Sequence, residues 1–226
     1  MKMLPSTIEA VLFDLDGTLL DSAPDLYVAL QLLCAEEGVA LPPYAPVREV
    51  VSSGSRAILR NAFADRGEAA IEAMVPRYLQ LYQQVIAQQT QPFDGIEAML
   101  DAIEAQCLRW GIVTNKPGFL TEALLPRIGW ATRVAAVVSG DTLPVKKPDP
   151  APVLLACERA GLDPAHCLFV GDDRRDVQAG AAAGLYTVAV GWGYLDGGDP
   201  QTWGADAVLE HPAQLTALLQ RQVVEA

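Results

Sequence analysis

From Ala10 to Phe13 the chain reads A-V-L-F, an unbroken apolar run that gives way abruptly to Asp14. A short run of this kind predicts a buried parallel strand. The period then changes. Leu26, Leu30 and Leu33 recur at helical spacing between Pro24 and Gly38, with proline near the start of the pattern and glycine at its stop. Leu41 to Pro46 is proline-rich and predicts a loop, and Val47 to Val51 a short helix or turn. Ser52, Ser53, Gly54 and Ser55 form a small polar loop. A helix follows from about Arg56 to Arg66, with Ile58, Leu59, Ala62 and Phe63 as its apolar face, and Gly67 breaks it. A longer helical pattern runs from Glu68 to about Gln89, reset at Pro76. The polar stretch Gln88 to Pro92 reads as a connection.

Strands return only after Phe93, and from there they alternate with helices. Helices are expected over Ile96–Ala105, Phe119–Ile128, Pro150–Ala160, Arg174–Ala183 and Pro212–Gln222. Strands are expected over Trp110–Val113, Val134–Val138, Leu168–Val170, Thr187–Val190 and Ala207–Leu209. That alternation predicts a doubly wound α/β fold, a parallel sheet with crossover helices. The core would comprise residues 1–20 and 93–226, and residues 21–92 an all-α insert placed straight after the first strand. Ligands of such cores bind at the carboxyl ends of the strands. The insert leaves the core at that end, so it is expected to cover the site as a lid.

Polar residues follow four of the predicted strands. Asp14 and Asp16 follow the first, with Gly17 and Thr18 after them. Thr114 and Asn115 follow the second, and Lys146 and Lys147 lie in the loop after the third. Gly171, Asp172 and Asp173 follow the fourth, with Asp176 one helical turn on. A lone D-x-D ending a strand reads more readily as a solvated acidic turn than as a site. Four such groups at one sheet edge suit phosphoryl transfer, whose transition state spreads negative charge over oxygens. Asp14, Asp16 and Asp172 make an oxygen-rich site for Mg²⁺. Thr114 and Asn115 can bond phosphate oxygens without adding charge, and a lysine brings fixed positive charge. One carboxylate can act as nucleophile, and a second as acid and then base.

The bulk numbers narrow the classes. The 226 residues are 51% hydrophobic and 19% charged, enough for a core domain plus a smaller insert. A net charge of −12 argues against a nucleic-acid partner held through its phosphates. No apolar run approaches the ~20 residues of a membrane span, and the start M-K-M-L-P-S-T has no leader pattern. Cys34, Cys107, Cys157 and Cys167 show no C-x-x-C spacing, which fits reduced thiols and a cytoplasmic location. His166 and His211 are isolated, leaving little for a zinc site or a Ser-His-Asp triad.

The set D-L-D-G-T, T-N, K-P and G-D-D-x-x-D resembles the haloacid dehalogenase superfamily, in the family's order and across essentially the whole chain. The resemblance implies Asp14 as a nucleophile that becomes phosphoaspartate, and Asp16 as the acid that protonates the leaving alkoxide and then activates water. It implies that Thr114 and Asn115 hold phosphate oxygens and that Lys147, the lysine directly before proline, pairs with the nucleophile and the phosphate; Thr18 is expected to bind substrate. Mg²⁺ would be bound by Asp14, the backbone carbonyl of Asp16 and Asp172, with Asp176 behind them. The insert would be the family's small α-helical cap. Its loop residues Ser53, Gly54 and Arg56 are expected to face the site, Arg56 meeting a substrate carboxylate or sugar hydroxyl. Asp173 could assist the metal or cap the following helix; Arg174 and Arg175 read as helix-surface charges, and Gly191 to Asp196 as a loop.

Asp16 favours phosphate over halide chemistry, since dehalogenases of this fold need no acid at that position. No lysine lies in the insert, which disfavours phosphonate hydrolysis, and no histidine, which disfavours a hexose-phosphate mutase. The opening D-G-T-L-L-D-S-A-P and T-N-K-P resemble phosphoglycolate phosphatases. The tail T-W-G-A-D-A-V-L-E-H-P-A-Q-L and G-D-D-R-R-D resemble N-acetylmuramic acid 6-phosphate phosphatases. The expectation is a monomer or homodimer acting on a small phosphorylated metabolite. The non-enzymatic alternative, a phospho-aspartate sensor, lacks an insert after the first strand.

Overall fold

In the protein's structure, a computed structural model that describes residues 2–224, β1 (Ala10–Phe13) sits at the centre of a six-stranded sheet. Residues 1, 225 and 226, assigned to the core from the sequence, lie outside the described residues. The strands β4 (Arg109–Val113), β5 (Val137–Val138), β6 (Cys167–Gly171), β7 (Tyr186–Val190) and β8 (Ala207–Leu209) complete it in the order β5-β4-β1-β6-β7-β8, all parallel. Side chains alternate along β1. Val11 and Phe13 join one apolar cluster with Trp110, Ile112, Leu168 and Val170, while Ala10 and Leu12 join another with Val113, Cys157 and Phe169. Both faces of β1 are therefore covered, which is why its run is apolar at every position.

The helices follow from the same bookkeeping. The first cluster takes in α5 (Ile96–Ala105), α6 (Gly118–Ile128) and α9 (Pro212–Val224); the second takes in α7 (Ala151–Ala160) and α8 (Arg174–Ala183). From β1 the chain visits β4 and β5 on one side, then crosses to β6 on the other. The order reverses beside β1, so a crevice opens at the carboxyl ends of β1, β4 and β6.

Between β1 and β4 lie α1 (Ala23–Glu37), α2 (Tyr44–Glu49), α3 (Ser55–Ala62) and α4 (Gly67–Val85). The apolar cluster on the first sheet face continues into them through Leu26, Leu30, Tyr78 and Tyr82. Contrary to the expected reset, α4 runs unbroken through Pro76. Ile71, Met74, Tyr78, Leu81 and Val85 keep one buried stripe along its full length, and that packing outweighs the backbone bond proline removes.

The sequence pattern also missed a two-stranded ribbon, β2 (Leu20–Asp21) against β3 (Gln91–Pro92), too short for any periodicity to register. It carries both crossings between the insert and the sheet. Asp25 in the first turn of α1 secures them: its buried carboxylate accepts from Gln89 N (2.8 Å), Thr90 N (3.0 Å) and Thr90 Oγ1 (2.6 Å). Asp25→Ala would strand those donors, at a cost of about 3 kcal/mol. We expect its thermal midpoint to fall by about 6–12 °C; a midpoint within ~2 °C of the parent would show that the clasp is dispensable. No described helix is long and apolar enough to cross a membrane.

Candidate active site

Phe13 pairs with Ile112 of β4 and with Val170 of β6, so the three central strands end side by side. The ladder continues one residue past β1 and β4, with Asp14 N donating to Val170 O and Thr114 N to Val138 O, both at 2.9 Å. The first polar side chains beyond the strands are Asp14, Thr114 and Asp172. Register alone brings them to one place.

Asp14, Asp172 and Asp176 each place a carboxylate oxygen within 4.8 Å of the others. Lys147 Nζ lies 2.8 Å from Asp14 Oδ1 and 2.8 Å from Asp176 Oδ1, without hydrogen-bond geometry to either. Burial alone would push this ammonium down, but the two carboxylates outweigh it and its pKa rises. Burial, with the charges of Asp14 and Asp176, holds the Asp172 carboxyl well above the usual carboxylate range. Burial likewise pushes Asp176 up to about 7, with Lys147 opposing. With its three acids ionised, the cluster would carry two negative charges in excess of Lys147 in a buried place. Such a set is favourable only with a further cation, and all-oxygen donors suit a hard divalent one.

Asp172 is held on three sides. Thr18 Oγ1 donates to Oδ1 (2.8 Å), while Ser52 Oγ and Tyr194 N donate to Oδ2, both at 2.9 Å. Gly17, at φ +87°, and Gly193 press their backbones so close to Asp172 that a Cβ at either would collide with its side chain. Thr18, expected to bind substrate, is fully buried behind Asp172 and is not among the residues lining the cavity. The loop from Gly191 to Asp196, which looked functionally blank, is this buttress: Tyr194 Oη also bonds Asp21 Oδ1 (2.5 Å), and Trp192 Nε1 donates to Thr18 O (2.9 Å). Asp173 caps α8, accepting from Arg175 N (2.7 Å), while Asp176 accepts from Asp173 N (3.1 Å).

Asp16 meets a residue that sequence reasoning passed over. Lys116 Nζ donates to Asp16 Oδ1 (2.9 Å), Asp16 Oδ2 (3.0 Å) and Tyr82 Oη of α4 (2.9 Å). Ser22 Oγ donates to Asp16 Oδ1 as well (2.5 Å). The Asn115 side chain is tied to the Lys147 main chain in both directions at 3.1 Å, and Thr114 Oγ1 accepts from Lys116 N (3.2 Å).

These groups open onto a cavity of about 390 Å³. Its floor is Asp14, Asp16, Thr114, Asn115 and Lys147; its roof is Ser52 to Arg56 of the insert; Leu26, Ile58, Val75, Leu79 and Leu120 supply apolar wall. Arg56, at the end of that roof, has its guanidinium bonded through Nε and Nη2 to Glu72 of α4. Arg175, expected as a surface charge, instead lines the cavity. It pairs with Asp173 (2.6 Å) and donates to Ser52 O of the insert (2.6 Å), so its guanidinium ties core to roof.

The chain is similar to known proteins both in sequence and in fold. Residues 11–190 match the family model described as haloacid dehalogenase-like hydrolase. A phosphoglycolate phosphatase of Xanthomonas campestris is 49% identical over 91% of this chain and 94% of its own length. An N-acetylmuramic acid 6-phosphate phosphatase of Pseudomonas aeruginosa is 42% identical over 96% of this chain and 97% of its own. Among solved structures, a protein described as a predicted phosphoglycolate phosphatase from Haemophilus somnus superposes with a TM-score of 0.84 at 24% identity, over 94% of this chain and 98% of that one, a likeness of fold alone. The sheet with its inserted helices is thus a shared fold, and the chain belongs to the haloacid dehalogenase-like hydrolases.

Proposed function

We propose that this chain is a Mg²⁺-dependent phosphomonoester hydrolase of the phosphoglycolate phosphatase type, acting in the cytoplasm on a small phosphorylated metabolite through a phosphoaspartate intermediate. The observation that carries the reading is the opening of Asp14, Asp16, Thr114 and Lys147 onto one cavity. Asp14, held at Oδ1 by Leu15 N (2.7 Å) and Lys147, is the nucleophile: its oxygen forms a bond to phosphorus as the ester P–O bond breaks. Asp16 gives a proton to the departing alkoxide and then takes one from the water that hydrolyses the acyl phosphate. Thr114 and Lys147 hold the phosphate, and Asn115 fixes the loop that carries Lys147. Asp14, the main-chain carbonyl of Asp16 and Asp172 would hold Mg²⁺, with Asp176 behind them; when bound, the ion supplies positive charge for the phosphoryl oxygens. Thr18 serves by orienting Asp172. Residues 21–92 act as a cap that excludes water.

The relatives at 49% identity favour phosphoglycolate. A second reading, N-acetylmuramic acid 6-phosphate, is favoured by the cavity: its volume and its wall of Leu26, Ile58, Val75 and Leu79 exceed what a two-carbon phospho-acid would fill. The test is a panel of 2-phosphoglycolate, N-acetylmuramic acid 6-phosphate and hexose phosphates, compared by kcat/KM. One ester is expected to stand at least about tenfold above the rest. A flat profile would remove both substrates, and phosphoryl transfer between hexose positions would make the chain a mutase.

A further inference from the structure

Lys116 uses all three of its ammonium protons, two on the Asp16 carboxylate and one on Tyr82 Oη, and sits 4.5 Å from the centre of the Tyr82 ring. Its side chain is almost fully buried. Thr114 Oγ1 accepts from its backbone N–H, so the residue is held at its main chain as well as at its ammonium. Asp16 Oδ1 accepts from Ser22 and Lys116, whereas Oδ2 accepts from Lys116 alone. A proton placed on Oδ2 leaves both bonds to Oδ1 intact, and the carboxyl plane keeps its aim in either protonation state. Tyr82 belongs to α4 of the insert and Lys116 to the loop after β4, so this aim depends on the insert lying against the sheet.

We infer that Lys116 is a positioning residue for Asp16, and that Tyr82 makes its grip contingent on the inserted helices, so that the proton donor is aligned only beneath a closed roof. This assignment rests on the phosphatase reading above. In the ester-cleaving step, which kcat/KM reports, the Asp16 proton matters only where the leaving group needs one. Cleavage of the ester P–O bond leaves the electron pair on oxygen; an alkoxide must then take the Asp16 proton, whereas a stable aryloxide departs without it.

The experiment compares kcat/KM for an alkyl phosphate and for p-nitrophenyl phosphate in the parent, Lys116→Met and Tyr82→Phe. For Lys116→Met we expect a loss of about 100-fold on the alkyl ester and less than about threefold on the aryl ester. Tyr82→Phe removes one hydroxyl and should lose about fivefold on the alkyl ester only. If Lys116→Met shows no cooperative melt, Tyr82→Phe decides by the same ratio. Equal losses on the two esters, as expected if Lys116 simply bound phosphate or supported the fold, would overturn the assignment, and so would no loss on either. Asp14→Asn, run alongside, separates the failures. Turnover by that variant would remove the phosphoaspartate reading on which this assignment rests; its inactivity, together with ester-independent losses in the other two, would remove the positioning role alone.

Discussion

Asp14→Asn is expected to lose at least about 10⁴-fold in phosphate release while keeping its fold. The amide keeps an oxygen to accept the 2.7 Å bond from Leu15 N, so the strand end is undisturbed. What disappears is the anionic oxygen that the phosphoaspartate reading requires, and no neighbour offers a free one: Asp172 has donors on both oxygens, and Asp176 is fixed by Lys147 and the α8 cap. Inorganic phosphate released from an aryl ester at saturation is the measurement, with thermal melting as the check on folding. Turnover within tenfold of the parent would mean that water attacks phosphorus directly, and the phosphoaspartate reading would fall.

The sheet was legible because β1 and β6 are buried on both faces and therefore apolar at every position. Their polar successors, Asp14 and Asp172, could be placed at one edge from that pattern alone. Boundaries slipped where the reason for an element lay elsewhere in the chain. The strand expected over residues 134–138 is only Val137–Val138, because it pairs through just two residues of β4. The β2–β3 ribbon exists because residues far apart in sequence meet.

The same distinction holds within the site. Asp14 and Lys147 sit in recognisable spacings. Lys116 did not stand out, because its meaning comes from Tyr82, residues away on a helix whose stripe looked like ordinary core. Arg175 read as a surface charge because a helix's first turn is normally solvated; only the Ser52 carbonyl above it shows otherwise. Tyr194 and Gly193 offered no periodicity, and their role follows from how closely they approach Asp172.

Lys147→Met tests the electrostatic side of the site, and its outcome should differ from Asp14→Asn in a diagnostic way. Both substitutions break the 2.8 Å pair between Lys147 and Asp14, but from opposite ends. Asn at 14 removes one negative charge from a cluster already rich in them, so chelator-treated protein should melt no lower than the parent. Met at 147 leaves Asp14, Asp172 and Asp176 together with no cation among them. Breaking a buried pair from its positive side costs about 3–5 kcal/mol, so this variant should melt well below Asp14→Asn in chelator. Added Mg²⁺ should narrow the gap, because the ion neutralises the same three carboxylates. Activity should fall about 10³-fold, or ~4 kcal/mol of transition-state stabilisation, as the fixed positive charge beside the phosphate is lost. A Lys147→Met protein that melts with the parent in chelator would show that Lys147 does not balance the acids, and one that keeps more than a tenth of its turnover would show that it does not serve the phosphate.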